Sequence, residues 1–214
     1  MTWTKQNALL STSPYTPPKA IFQAVCDELG EYYKALGFRY ARSRPKLTIK
    51  NKLLKLEICF WSSASNMAGS YTNLEILPNL SSLALAKEDK NNAFILGHVP
   101  FLREQLKGEH PQLIRVQQIY GDILERKEHG KEALLVNNHN CNLYGIDEAK
   151  FQAIINFIDQ KIIYWLEGLT RIEGVMEFVE KLPEKERKQL KKKDHGFRRY
   201  LKLTFPKVNW EEYL

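Results

Sequence analysis

Asn137-Asn138-His139-Asn140-Cys141-Asn142 is the stretch where an imidazole and a thiol stand close enough in sequence to act together. Two residues apart, His139 and Cys141 would share one face of a strand, as two metal ligands or a thiolate and its base would. A structural zinc needs four ligands, and no second His/Cys pair stands at a matching spacing. Nothing in the stretch lowers a thiol pKa. The segment is therefore read as a polar turn, with no metal, no cofactor and no catalytic residue assigned. The chain also lacks a glycine-rich phosphate loop, a Gly-x-Ser-x-Gly elbow, a His-Glu-x-x-His pair and a Cys-x-x-Cys pair. Enzymes with short local signatures are thus excluded, while a site assembled from residues distant in sequence stays open as an alternative.

Charge is the stronger signal. Residues 39–55 hold seven Lys/Arg and no acid, and residues 184–207 hold ten Lys/Arg against three acids, so each block is +7. The remaining residues hold 15 basic and 22 acidic side chains, so the overall +7 conceals a polarised chain. Polarised charge speaks of partners and encounter rates rather than of fold. The first block, with Tyr40 and Trp61 as stacking platforms, has the residue types of a nucleic-acid surface. Its competing reading is a solvated sheet face with lysines guarding an edge strand. Alternation along a strand sends neighbours to opposite faces, which favours that second reading. In the other block Lys188, Lys191, Lys192, Lys193, Arg198 and Arg199 have the density of a segment that meets phosphates or an acidic protein. No base-reading motif accompanies it, and a solvated helix face is the commoner use of such a run.

The elements that must carry these residues are legible in part. Residues 1–16 read as an extended arm ending in Pro17-Pro18. Thr16 as N-cap, Pro17 in the first turn, and Ile21, Phe22, Val25, Cys26, Leu29, Tyr32, Tyr33 and Leu36 at helical spacing predict a helix closed by Gly37. Gly30 is a mild weakness inside it. Beyond Gly37 the period becomes 2: Leu54, Leu56, Ile58 and Phe60 alternate with Lys55, Glu57, Cys59 and Trp61, a strand with one buried face. Residues 38–41 and 47–50 read as shorter partners, residues 62–70 as a polar small-residue loop, and residues 72–77 as a strand ending at Pro78. Periodicity leaves residues 81–90 and 100–107 open between helix and strand. Residues 112–118 and 123–126 are read as strands, with one irregular helix as the alternative. Asp147 predicts the cap of a long helix running through Phe151, Ile154, Ile155, Ile158, Ile162, Trp165, Leu166 and Leu169. Thr170-Arg171-Ile172-Glu173 reads as a capping box opening the next helix.

With 43% hydrophobic residues in 214, the chain has material for a buried core. It has no 18-residue apolar run and no secretory pattern at its start, so a cytoplasmic protein without a membrane span is expected. Cys26, Cys59 and Cys141 are odd in number and far apart, which suits reduced, structural thiols.

The order of helix, Gly37-Phe38, basic hairpin, strand over 53–61, Ser-rich loop with Asn66 and Gly69, strand from Thr72, and late apolar helices with Trp165 and Leu166 resembles certain bacterial domains. They are of the type that includes candidate immunity proteins of polymorphic toxin systems, and the resemblance spans residues 20–180. It implies a cytosolic protein without catalysis that binds a toxin domain and blocks its site or assembly. Interfaces of this kind use buried aromatic and Arg anchors within a polar rim, and Tyr40, Arg42, Trp61 and Tyr71 have those residue types.

The reading is then an α+β fold: an antiparallel sheet packed by an N-terminal helix and two late helices, over a single domain at 17–183. A basic extension at 184–214 docks back on that domain and is expected to be dispensable for its folding. The first functional expectation is a protein-binding, immunity-type module. The alternatives are a nucleic-acid-binding accessory protein using both basic blocks, and an enzyme with a dispersed site.

Overall fold

The computed structural model describes residues 15–64, 66–89, 91, 93–105, 114–116, 119, 126–128, 131–133 and 141–214. The fold is α+β. Helix α1 (Pro18–Lys34) leads into strands β1 (Arg39–Ala41), β2 (Lys46–Lys50), β3 (Leu54–Trp61) and β4 (Glu75–Ser82). Helix α2 (Leu83–Glu88), strand β5 (Phe94–Leu96) and helix α3 (Val99–Leu102) follow. Two two-stranded ribbons come next, β6 (Arg103–Gln105) with β7 (Ile114–Val116) and β8 (Arg126–Glu128) with β9 (Lys131–Ala133). A long helical stretch comprises α4 (Glu148–Ile158), a π-helical turn (Asp159–Ile163) and α5 (Tyr164–Gly168). The chain ends in α6 (Ile172–Lys181), α7 (Glu184–Leu190), α8 (Gly196–Thr204) and α9 (Trp210–Tyr213).

The main sheet is antiparallel with order β1-β2-β3-β4-β5, so each strand pairs with its neighbour in sequence. Tyr40 lies opposite Leu47 in β1 and β2, and Leu80 opposite Leu96 in β4 and β5. The alternation expected in β3 is present, since Leu54, Leu56, Ile58 and Phe60 are buried while Lys55, Glu57 and Cys59 are half-buried and Trp61 is exposed. Residues 72–77 behave differently from expectation. The strand starts at Glu75 and passes through Pro78 to Ser82. The proline is tolerated beside a short neighbour: β5 has three residues, and its register covers Leu80 and Ser81, where a bulge also falls.

The chain forms two compact units, one of Met1–Ile49, Ile58–Leu77 and Gln117–Asp159, the other of Lys50–Glu57, Pro78–Val116 and Gln160–Leu214.

In the first unit, α1 begins one residue later than the sequence suggests. Pro17 is the N-cap, makes no side-chain cap bond, and Pro18 opens the helix with its φ already set. Ile21, Val25, Cys26, Leu29 and Tyr33 bury its inner stripe. At its end the amide of Phe38 reaches the carbonyl of Tyr33 and that of Gly37 reaches Lys34, each at 3.0 Å, a Schellman closure that needs the positive φ of Gly37 (89°). Gly30 has a packing reason to be there: a Cβ at this position would lie 2.4 Å from Cδ1 of Tyr40. Of the Asn-rich stretch, Cys141 and Asn142 lie within the described residues and form a clip. Asn142 Oδ1 accepts from the amides of Thr72 and Tyr144 at 2.9 Å each, and its Nδ2 donates to Ser70 O at 3.0 Å. Cys141 is buried and its carbonyl accepts from Leu74 N at 3.0 Å, while His139 lies outside the described residues, as do residues 1–14 of the expected arm.

Asp147 caps α4 as expected, accepting from Lys150 N at 2.8 Å. Tyr33 Oη donates to Asp159 Oδ1 at 2.9 Å, at the point where the helix widens into its π turn. Burial and the neighbouring Asp159 carboxylate push the Tyr33 phenol well above its ordinary pKa, so it is a donor.

In the second unit the capping box does not form. Arg171 is the N-cap of α6 without a side-chain bond, and Thr170 Oγ1 donates to Glu167 O at 2.6 Å instead. The tight crossing explains this. A Cβ on Gly174 would meet Gly168 O at 2.1 Å, so α6 starts against the end of α5, where the Thr170 hydroxyl finds a carbonyl nearer than the helix amides. The unit's core is aromatic. Rings follow one another from Phe101 and Trp165 through Phe178, Phe197, Tyr200 and Phe205 to Trp210, with centroids 5.0 to 6.4 Å apart. Tyr200 Oη donates to Leu169 O at 2.7 Å, and burial pushes its pKa up to about 12. Residues 184–214 are therefore not an addition to a core complete without them, because Leu190, Phe197, Tyr200, Leu201 and Trp210 are part of that core.

Candidate functional site

The first unit carries an open cleft of about 660 Å³, within the size range of ligand pockets. Three separate stretches build it. The first two turns of α1 contribute Lys19, Phe22 and Gln23, and the β1–β2 connection contributes Ser43, Arg44, Pro45 and Lys46. The end of β3 and the loop after it add Cys59, Phe60, Trp61, Ser62, Ser63 and Asn66.

Each wall is held by local bonding. The amide of Phe60 donates to Pro45 O at 2.9 Å, tying the β1–β2 connection to the end of β3. Ser62 Oγ donates to Asn73 O at 2.7 Å and accepts from Asn66 Nδ2 at 2.8 Å, and Asn66 Oδ1 accepts from Asn73 N at 2.8 Å. Tyr71 Oη donates to Asn73 Oδ1 at 3.1 Å. The Ser-rich loop is thus fixed by side chains that add to the backbone bridge between Met67 and Tyr71.

Chemically, the cleft joins apolar surface to positive charge. Phe22, Pro45 and Phe60 line its body, and Trp61, 51% exposed at the end of β3, offers a large ring to whatever enters. Lys19, Arg44 and Lys46 contribute three cations, and among the described residues the lining contains no carboxylate and no imidazole. A carboxylate lies behind it, but it is engaged. Asp27 accepts from Tyr40 Oη at 2.9 Å, from Gln23 Nε2 at 2.9 Å, and from Arg42 Nε at 3.2 and 3.0 Å through its two oxygens. Burial, then this bonding to Asp27, pushes the Tyr40 phenol well above its ordinary pKa.

The sequence-derived candidates separate accordingly. Trp61 lines the cleft, whereas Tyr40 and Arg42 are turned to Asp27, and Tyr40 packs on Gly30 with Lys34 Nζ 5.8 Å from its ring centre. Tyr71 braces the loop. In the second unit Lys188 pairs with Glu184 at 2.7 Å, and Arg198, whose side chain is 12% exposed, clasps Lys191 O and Glu211. Lys202 shares Glu211 at 3.1 Å. Lys191, Lys192 and Lys193 are exposed between α7 and α8, and Arg199 is half-buried in α8. Lys19, Phe22 and Gln23 are functional candidates that sequence reasoning missed, because helix periodicity marks Phe22 only as a core residue. Its half-burial, beside Ile21, Val25, Cys26 and Leu29, which are buried, is visible only once the helix is placed.

A second, smaller cleft of about 360 Å³ lies in the second unit, lined by residues that include Asn79, His98, Glu186, Gln189 and His195. His195 is the N-cap of α8, its Nδ1 accepting from Phe197 N at 3.2 Å, and burial followed by the Lys192 charge lowers its pKa. Among the described residues no group of three His, Cys, Asp or Glu side chains is placed to hold a metal ion, and no helix is long and apolar enough to cross a membrane. Comparison with protein-family models, curated proteins and solved structures finds no match to the chain.

Proposed function

We propose that the chain is a protein-binding module without catalysis of its own, an immunity-type inhibitor that neutralises a toxin domain, and that it grips its partner at the cleft of the first unit. The observation that carries this reading is the cleft's composition. An exposed Trp beside an Arg, over apolar residues and within a rim of Gln, Ser and Asn, is the make-up of a binding hot spot. General acid–base catalysis needs a proton carrier poised near neutrality, and the described residues of the lining offer Lys, Arg and one thiol. Bracing of the loop by Asn66 and Asn73 supports binding too, since a wall already ordered loses little entropy on association.

The second reading, a nucleic-acid-binding accessory protein, draws on Trp61 beside Arg44 and Lys46 as a stacking ring among cations. The protein reading is preferred because Arg42, Lys188, Arg198 and Lys202 of the two blocks already face carboxylates. Affinity purification from the native cell with the wild-type chain and Trp61→Ala in parallel tests the proposal. A stoichiometric protein should accompany the wild type and be depleted with the variant. A partner retained equally by both, or none at all, contradicts it.

A further inference from the structure

We infer that the occupant of this cleft is an acidic protein segment that inserts one aromatic side chain between Phe22 and Trp61 and sets flanking carboxylates against Lys19 and Arg44. The inference rests on the proposed binding role and names the chemistry of the partner.

Charge complementarity is the first argument. Among the described residues three cations and no anion line the cleft, and Asp27, whose carboxylate Gln23 of the lining bonds, is covered by Arg42, Tyr40 and Gln23. The described lining is therefore net positive although the residues outside the two basic blocks hold 22 acidic against 15 basic side chains, and a positive, partly apolar concavity attracts anions and disfavours cationic partners. Among the described residues neither Lys19 nor Arg44 has an intramolecular ion pair, so their charges are available.

The kind of donor then selects the anion. Compact phosphate cradles typically add convergent backbone amides, at a helix start or a glycine-rich turn, to their Arg and Lys side chains. Here the helix start offers no converging set: Pro17 and Pro18 have no amide proton, and the amides of Ala20 and Ile21 are turned to Pro17 O at 2.9 and 3.2 Å, which leaves that of Lys19 in the first turn. What remains are long cationic side chains from two separate stretches. Such an array suits carboxylates distributed along a chain better than one compact phosphate. The apolar body, with Phe22, Phe60 and Trp61 as its rings, adds a place for a side chain that drives burial.

The test is calorimetric titration of the full chain with a synthetic Glu/Asp-rich peptide carrying one central Phe. Parallel titrations use the same peptide with Ala at the centre, a Lys-rich version, and an oligothymidylate of similar length. The Phe peptide should bind tightest and weaken about tenfold or more between about 50 and about 300 mM salt. Arg44→Glu and Trp61→Ala should each weaken it about tenfold or more, whereas Lys193→Glu should leave it unchanged. Equal binding of the Lys peptide, tighter binding of the oligonucleotide, or indifference to Arg44→Glu overturns the inference. Absence of peptide binding, with a co-purified partner that still depends on Trp61, overturns the acidic-segment claim alone. A partner indifferent to both Trp61 and Arg44 overturns the binding role beneath it.

Discussion

Gly30 shows how one small side chain can decide a local arrangement. In an exposed helix Gly→Ala stabilises by about 0.8–1 kcal/mol, but here the added methyl would enter the Tyr40 ring at 2.4 Å. Overpacking of this kind costs about 1–3 kcal/mol, so the clash outweighs the propensity gain. Gly30→Ala should lower the urea midpoint, and a raised midpoint would show that the ring can move aside at no cost. The predicted "mild weakness" in α1 is therefore the contact that lets Tyr40 reach Asp27, a relation between residues ten apart that no periodicity displays. His195 supplies a pH-dependent prediction. Its folded pKa lies below the unfolded value, so the unfolded chain takes up more protons as pH drops below about 6.5. His195 then contributes full stability above that pH and loses it as the pH falls towards the folded pKa. Denaturant titrations from pH 7.5 to 5 should show a steeper loss for the wild type than for His195→Asn, which keeps a cap acceptor but does not titrate. Parallel curves would contradict the assignment.

The elements themselves differ in how plainly the sequence shows them. Strict alternation in β3 and the Asp147 cap of α4 are local patterns, each governed by neighbours within a few residues, and both are found where expected. The capping box at Thr170 fails because a crossing to Gly168 sets the entry of α6, and sequence spacing carries no record of that backbone contact. Residues 184–214 are the clearest case. Phe197, Tyr200 and Leu201 have the i, i+3, i+4 spacing of a buried stripe, so their docking is legible, but the surrounding lysines and arginines suggest a segment that could be lost. The structure argues otherwise. Phe197, Tyr200, Leu201 and Trp210 are each 2% exposed or less, and burial of such side chains is worth about 1.5–3 kcal/mol apiece, a total comparable with the stability of a whole domain. Truncation after Pro183 should therefore abolish the near-ultraviolet dichroism of the second unit's aromatic core and its cooperative unfolding. A truncated chain that unfolds cooperatively with unchanged midpoint would restore the view of the segment as an addition. Gly174→Ala should be similarly severe, since its methyl would lie 2.1 Å from Gly168 O, a backbone atom that cannot swing away.

For the molecule as a whole, the sequence announces polarised charge without saying which cations are available. Structure separates them: Arg42, Lys55, Lys188, Arg198 and Lys202 are matched by carboxylates, while Arg44 and Lys19 face a cleft. Lys19 belongs to neither block, which is why counting charges along the chain passes over it. The cleft could not be read from the sequence for the same reason, since its walls come from residues 19–23, 43–46 and 59–66, brought together by tertiary pairing. The account's central claim is that this cleft is where a protein partner is held. Footprinting of the complex by carbene labelling with peptide mass spectrometry measures that directly. Trp61, Phe22 and residues 62–64 should be protected when the co-purified partner is bound, and protection confined to other surfaces, with those positions labelled as in the free chain, would contradict the claim.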